Sequence, residues 1–225
     1  MAKIVNTIMV IILQKEIPVM SNKKVLIVID MQNDFCPGGN LPVKDGDEII
    51  PVVNEIMKSF AVVVATQDWH PQNHVSFASN HKGKKIYDTI IHDGIDQALW
   101  PDHCVAGTKG ADFYKGLDTD RFNLILRKGT NPAIDSYSAF MENDKKTETG
   151  LHGYIKALNP AKVFVCGLAT DYCVYYTAMD SVKYGFETHV LIDACRGIDE
   201  PAGSINAVIA DMKKSGIKIE NVNEL

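Results

Sequence analysis

Six short apolar, β-branched runs constrain this chain most, at residues 25–29, 61–65, 123–126, 162–166, 189–192 and 217–219. None alternates cleanly between polar and apolar positions, so they suit strands buried on both faces, as in a parallel sheet. Helical stripes fall between them. Ile49, Val52, Val53, Ile56 and Met57 make one, Val174, Ala178 and Val182 with Tyr175 and Met179 a second, and Ile205, Val208, Ile209 and Met212 a third. Alternation of this kind over 225 residues reads as one α/β domain. With 46% hydrophobic and 23% charged residues, a disordered chain is excluded. A net charge of -5 and the lack of a basic stripe argue against a nucleic-acid surface and for a small or neutral partner.

The ends and the cysteines set further bounds. Ile4 to Leu13 is apolar, but Gln14-Lys15-Glu16 follows and no small-residue cleavage site appears. Residues 1–19 therefore read as an extension ahead of a domain over 20–225, with Met20 as a second possible start. No apolar run reaches the roughly 18 residues of a membrane span. The five cysteines are odd in number and contain no CxxC pair, so no disulfide framework is indicated. A reducing, cytoplasmic setting is the expectation.

Chemistry-bearing residues gather where the strands end. Open parallel sheets bind ligands beyond the carboxyl ends of their strands. Asp30 ends the first strand, Asp68-Trp69-His70 follows the second, Lys128 ends the third, and Gly167 to Cys173 follows the fourth. With Thr170 as the cap, Cys173 takes the third helical position, where free N–H groups and the helix dipole favour a thiolate. The plainer alternative is a small buried hydrophobe. Asp30 would take the thiol proton and Lys128 would stabilise the charged pair, although capping is the commoner fate of such an Asp and exposure that of such a Lys. Asp68 and His70, two apart in an extended segment, point the same way and can share an ion, with His103 the best third ligand and His74 the second choice. Two turn-capping residues remain the bland reading. The long, weakly periodic stretch 67–120 is of a length that is usually functional. Cys166 reads as a strand residue, Cys36, Cys104 and Cys195 as loop residues, and His81, His92, His152 and His189 as ordinary surface or packing residues.

Taken in order, Asp30-Met31-Gln32-Asn33-Asp34-Phe35-Cys36-Pro37-Gly38-Gly39, Thr66-Gln67-Asp68-Trp69-His70-Pro71, Trp100-Pro101-Asp102-His103-Cys104-Val105, Arg127-Lys128-Gly129 with Asp135-Ser136-Tyr137-Ser138-Ala139-Phe140, and Gly167-Leu168-Ala169-Thr170-Asp171-Tyr172-Cys173-Val174 resemble the nicotinamidase/pyrazinamidase family of isochorismatase-like cysteine hydrolases. The resemblance spans about residues 23–222. It implies a three-layer α/β/α domain around a six-stranded, mostly parallel sheet, a Cys173–Asp30–Lys128 triad, a divalent metal on Asp68, His70 and His103, and an oxyanion hole from the amides of Ala169 and Cys173. The metal would be Zn, with Fe and Mn tolerated by the same ligands. Phe35, Trp100 and Tyr137 would wall a flat ring, with Leu41 a neighbour, and a cis peptide is expected before Ala169. Some relatives place a further ligand at the position of His74. The implied reaction is hydrolysis of nicotinamide to nicotinate and ammonia through a thioester, in NAD salvage, with pyrazinamide as a second substrate, by a monomer or homo-oligomer with no nucleic-acid or membrane partner.

Other readings fit less of the chain. A carbamoyl or ureido amidase would use the triad but not the Asp68, His70 and His103 set. Isochorismate cleavage would not need the cysteine. A non-catalytic nucleotide-binding protein would carry a Gly-rich phosphate turn after the first strand, whereas residues 30–40 hold only Gly38-Gly39 and no GxGxxG.

Overall fold

Each of the six apolar runs becomes a strand of one sheet in the computed structural model, which describes residues 23–225. The expected extension over 1–19 lies outside the described residues. In chain order the elements are β1 (Lys24–Ile29), α1 (Ile50–Met57), β2 (Val62–Asp68), β3 (Thr89–His92), β4 (Ile95–Ala98), β5 (Leu124–Lys128), α2 (Leu151–Leu158), β6 (Lys162–Leu168), β7 (Thr188–Arg196), with α3 (Tyr175–Lys183) between the last two, then α4 (Ser204–Lys214) and β8 (Lys218–Glu220). The sheet order is β5-β2-β1-β6-β7-β8, and every pairing in it is parallel.

The order reverses at β1. The chain moves outward one way through β2 and β5, then crosses back to β6 and moves the other way through β7 and β8. Right-handed crossovers in opposite directions put α1 on one face and α2, α3 and α4 on the other. That is the three-layer arrangement the resemblance implies. It also leaves a crevice at the carboxyl ends of β1 and β6, the point in such sheets where ligands bind. β1 is buried along all but its first residue, and β6 likewise, as their unbroken apolar sequences require. Their closeness depends on Gly167: it has φ +115°, and a Cβ there would lie 2.2 Å from the Ile29 carbonyl oxygen.

Three elements differ from the sequence reading. The stretch 67–120 contains an antiparallel hairpin, β3–β4, turned by Asp93-Gly94 with both residues at positive φ (48° and 79°). That dipeptide is a strong hairpin signal, but its strands are four residues each and mix exposed with half-buried positions, so no apolar run marks them. Cys195 lies inside β7, not in a loop. The turn after β6 begins with Ala169 as the flanking extended residue, and Thr170–Val174 winds as a π-helical turn before α3. Cys173 is therefore the fourth residue of a widened turn rather than the third of an α-helix. All five cysteines are buried and unpaired. No helix among the described residues is long and apolar enough to cross a membrane.

Candidate active site

Four strand ends meet at the crevice. Register alone brings Asp68 beside Lys128 on β2 and β5, and Ile29 beside Gly167 on β1 and β6, so Asp30 and the turn carrying Cys173 follow directly. The side chains of Asp30 and Lys128 are wholly buried. Lys128 Nζ lies 2.9 Å from Asp30 Oδ2, 3.3 Å from Cys173 Sγ and 2.9 Å from the Ser136 carbonyl oxygen to which it donates, and it also donates to Asp68 Oδ1. Burial pulls the lysine down, but the Asp30 and Asp68 carboxylates and the cysteine sulfur more than offset this and hold it well above its ordinary value. A buried ammonium between two carboxylates is a fixed positive charge.

Asp30 is oriented by Thr66. The Thr66 hydroxyl donates to Asp30 Oδ1 at 2.6 Å and accepts the Asp30 N–H at 3.1 Å. Oδ2 is ion-paired with Lys128 Nζ at 2.9 Å and takes no other hydrogen bond among the described residues, which leaves it a lone pair for a thiol proton. One carboxylate oxygen of Asp30 lies within 4.8 Å of Cys173 Sγ. Burial raises the carboxyl of Asp30 and, more strongly, the thiol of Cys173, with Lys128 opposing both shifts. The resting sulfur is thus a thiol with a base beside it and a cation ready for the thiolate. The Leu168–Ala169 peptide is cis, as the family pattern anticipates.

Beside this group stand Asp68, His70 and His103. His70 Nδ1 meets the Gly129 carbonyl at 2.9 Å, and His103 Nδ1 meets the Pro101 carbonyl at 2.8 Å. A carbonyl only accepts, so each Nδ1 carries a proton and, in the neutral ring, each Nε2 offers a lone pair. Both Nε2 atoms face Asp68 Oδ2, at 3.5 and 3.8 Å. Two imidazoles fixed by outer hydrogen bonds around one carboxylate are a divalent-metal donor set with positions left over. Burial pulls His70 down, but Asp68 beside it raises it overall. Burial raises Asp68, and Lys128, His70 and His103 together outweigh it and hold the carboxyl well below its usual range. Gly129, at φ +62°, makes the fit possible: a Cβ there would lie 2.3 Å from His70 Cε1.

His74 is placed differently. Its Nδ1 accepts the Ser76 N–H at 3.3 Å and lies 2.7 Å from the Ser76 hydroxyl, and its ring stacks on His70 with centroids 4.1 Å apart. Its Nε2 is buried with no hydrogen-bond partner among the described residues. It groups with His70 and Asp135 rather than with Asp68 and His103. Burial, with His70 adding to it, lowers His74 to about 4, so it is neutral near pH 7.

A small cavity lies over these groups. Phe35, Leu41, Trp100, Tyr137, Tyr172 and Ile198 line it, with Asp68, His103, Asp135, Ala169 and Cys173. Trp100 Nε1 donates to the Tyr137 hydroxyl at 3.1 Å, and the Tyr172 ring meets Trp100 edge-on at 4.8 Å. Larger clefts near Phe60 and Asp118, and near Gly38 and Lys109, contain neither a thiol nor an imidazole. Sequence reasoning gave no role to Thr66, Asp135, Tyr172 or Ile198. Asp135 is buried, accepting from Gln97 at 3.0 Å and from the Ser136 N–H at 2.8 Å, and as an acid inside a quoted motif it was open to detection. Nothing local in the sequence marks Ile198. His189, read as an ordinary packing residue, is buried between Glu220 at 2.8 Å and Glu187 at 3.1 Å, far along β7 from this site.

Comparison with known proteins gives concordant findings. The Isochorismatase domain family matches residues 24–224. A nicotinamidase of Acinetobacter baylyi is 50% identical over 198 residues, 88% of this chain and 92% of that protein. Among solved structures, the Acinetobacter baumanii nicotinamidase pyrazinamidase superposes with a TM-score of 0.88 at 48% identity, covering 91% of this chain and 98% of that one. The pyrazinamidase of Pyrococcus horikoshii in complex with zinc superposes with a TM-score of 0.73 at 39% identity, covering 88% of this chain and 99% of that one.

Proposed function

The chain belongs to the Isochorismatase domain family, and from that premise we propose that it is a nicotinamidase, hydrolysing nicotinamide to nicotinate and ammonia with Cys173 as nucleophile. The observation that carries this reading is Lys128 Nζ. It touches Asp30, Cys173 and Asp68 at once, and so joins a nucleophile–base pair to a metal donor set under a cavity walled by flat rings.

Phe35, Trp100 and Tyr137 hold the pyridine ring edgewise into the cavity and place its carboxamide over Cys173. Asp30 Oδ2 takes the thiol proton, and Lys128 stabilises the resulting thiolate. The sulfur bonds to the carboxamide carbon, and the amides of Ala169 and Cys173 receive the oxyanion, worth roughly 3–4 kcal/mol per donor in comparable sites. Asp30 returns its proton to the leaving nitrogen, the C–N bond breaks, and ammonia departs from a thioester. Asp30 then accepts a proton from the attacking water, the C–S bond breaks, and nicotinate leaves as the thiol is restored. Asp68, His70 and His103 fit a divalent ion, which when bound supplies a Lewis-acid anchor for the ring nitrogen. Zinc is the proposed metal, supported by the zinc-bound pyrazinamidase, with iron and manganese suited to the same donors. Pyrazinamide, a flat ring of the same size bearing the same carboxamide, is the proposed second substrate. Nicotinate formation places the protein in NAD salvage, and its five unpaired thiols accord with a reducing, cytoplasmic setting.

Ammonia release from nicotinamide by purified, metal-loaded protein tests the reading, beside Cys173→Ala and a chelator-treated sample. Release by the wild type that vanishes in Cys173→Ala supports it. Silence of the metal-loaded wild type overturns it.

A further inference from the structure

Asp171 lies two residues before Cys173 and is 5% exposed. Its Oδ1 accepts the Ile198 N–H at 2.9 Å, and its Oδ2 accepts the Asp199 N–H at 2.8 Å and the Ser204 hydroxyl at 2.6 Å. All three donors belong to the segment that leaves β7 and enters α4. A second tie runs from the Tyr172 hydroxyl to the Glu200 carbonyl at 2.8 Å. Gly197 permits the approach, since a Cβ there would lie 3.0 Å from Asp171 Oδ1 and 2.7 Å from the Ile205 side chain. The same segment contributes Ile198 to the cavity lining, and Tyr172 joins it to the Trp100 and Tyr137 walls at ring distances of 4.8 and 5.6 Å.

We propose that residues 197–204 form a strap that sets the width of the cavity, that Asp171 is the positioning residue that holds it there, and that Ile198 is the side chain that selects among ring-substituted amides. The proposal rests on the nicotinamidase reading for the identity of the ring. Its physical basis is the geometry of a carboxylate, which offers acceptors on both oxygens and so takes three donors at once, where an amide would turn an N–H group toward one of them. The strap has no sheet of its own, so its distance from the ring follows from these bonds. Asp171 touches no reacting atom, so its effect belongs in KM and in selectivity rather than in the bond-breaking step.

The test compares kcat and KM for nicotinamide, 5-methylnicotinamide and 6-methylnicotinamide in the wild type, Ile198→Ala, Ser204→Ala, Ser204→Thr and Asp171→Asn. Ile198→Ala is expected to raise the methylated-to-unsubstituted ratio of kcat/KM about tenfold for at least one isomer, the scale of a methyl group in an apolar pocket. Ser204 lies outside the cavity lining and touches the Asp171 carboxylate. Ser204→Ala should therefore raise KM several-fold, change kcat by less than about twofold, and shift the same ratio the same way. Ser204→Thr, which keeps the hydroxyl, should restore wild-type selectivity, and Asp171→Asn should show the larger form of the Ser204→Ala signature. If Asp171→Asn fails to fold, the Ser204 pair still decides. An unchanged methyl ratio in both Ile198→Ala and Ser204→Ala overturns the proposal, as does a loss confined to kcat and equal for every amide. Should the wild type release no ammonia, the activity reading fails separately, and the same selectivity is then read from amide binding by quenching of Trp100 fluorescence.

Discussion

Thr66 shows how much of this site turns on single contacts. Its hydroxyl fixes one oxygen of a wholly buried carboxylate and leaves the other for the sulfur. Thr66→Val keeps the shape and removes the donor. A hydrogen bond to a charged group is worth about 1.5–3 kcal/mol, so kcat should fall roughly ten- to a hundredfold, with Thr66→Ser near wild type and metal content unchanged. Equal kcat in Thr66→Val and the wild type would remove Thr66 from the mechanism. Gly129→Ala makes a complementary case. The added carbon falls on the His70 ring, so bound metal per chain, measured by elemental analysis, should drop well below that of the wild type while the fold persists. At this scale the sequence singled out most groups with distinctive chemistry, though Asp135, a buried acid in the cavity lining, received no role. Asp30, Asp68, His70, His103, Lys128 and Cys173 stand out because acids, imidazoles and a thiol are uncommon at the ends of apolar strands. Thr66 and Ile198 did not stand out, because a Thr in a strand and an Ile in a loop are commonplace, and only three-dimensional contact distinguishes them.

Among the elements, β8 is the most lightly held strand, three residues long at the edge of the sheet. Its tie to the interior is polar: His189 on β7 bridges Glu220 on β8 and Glu187 just before β7, and Lys218 pairs with Glu187 at 2.7 Å. Lys218 and His189, with help from Lys162, lower Glu187 to about 2, against an ordinary 4.5. A folded value below the unfolded one means that this clasp is fully present above about pH 4.5 and is lost as pH falls toward about 2. Melting temperature followed through that window should decline less steeply in Glu187→Gln than in the wild type, and parallel curves would show the clasp to be inert. Elements were legible to the degree that they are buried. The six sheet strands appeared as apolar runs because both of their faces are covered. The hairpin β3–β4 escaped because Ile91 and much of its length face solvent. The widened turn at Thr170–Val174 escaped because one additional residue per turn leaves the spacing of Val174, Ala178 and Val182 intact.

For the molecule as a whole, strand order decides where chemistry can occur. Residues from positions 35 to 198 reach one cavity because β1 and β6 stand side by side at the point where the order reverses. A metal bound there connects the end of β2, through Asp68 and His70, to the loop that carries His103, so it should act on stability as well as on turnover. At a hundredfold excess over its dissociation constant a native-state ligand adds about 2.7 kcal/mol, which in a chain of this size raises the melting temperature by roughly 5–10 °C. Chelation should reverse the shift and abolish ammonia release, and added zinc should restore both. A melting temperature indifferent to zinc would place the ion outside this donor set. The crossing from β5 to β6 was not legible in the runs, since their order along the chain does not reveal their order across the sheet. The thiols complete the account at this scale. None of the five is more than 6% exposed, and of them Cys173 is the one that opens onto the cavity. A small electrophile should therefore label one sulfur in the native protein and a bulky one almost none, while the unfolded chain offers all five. Alkylation counted by mass thus reads the fraction of opened molecules directly, a folding gauge the protein carries in its own side chains.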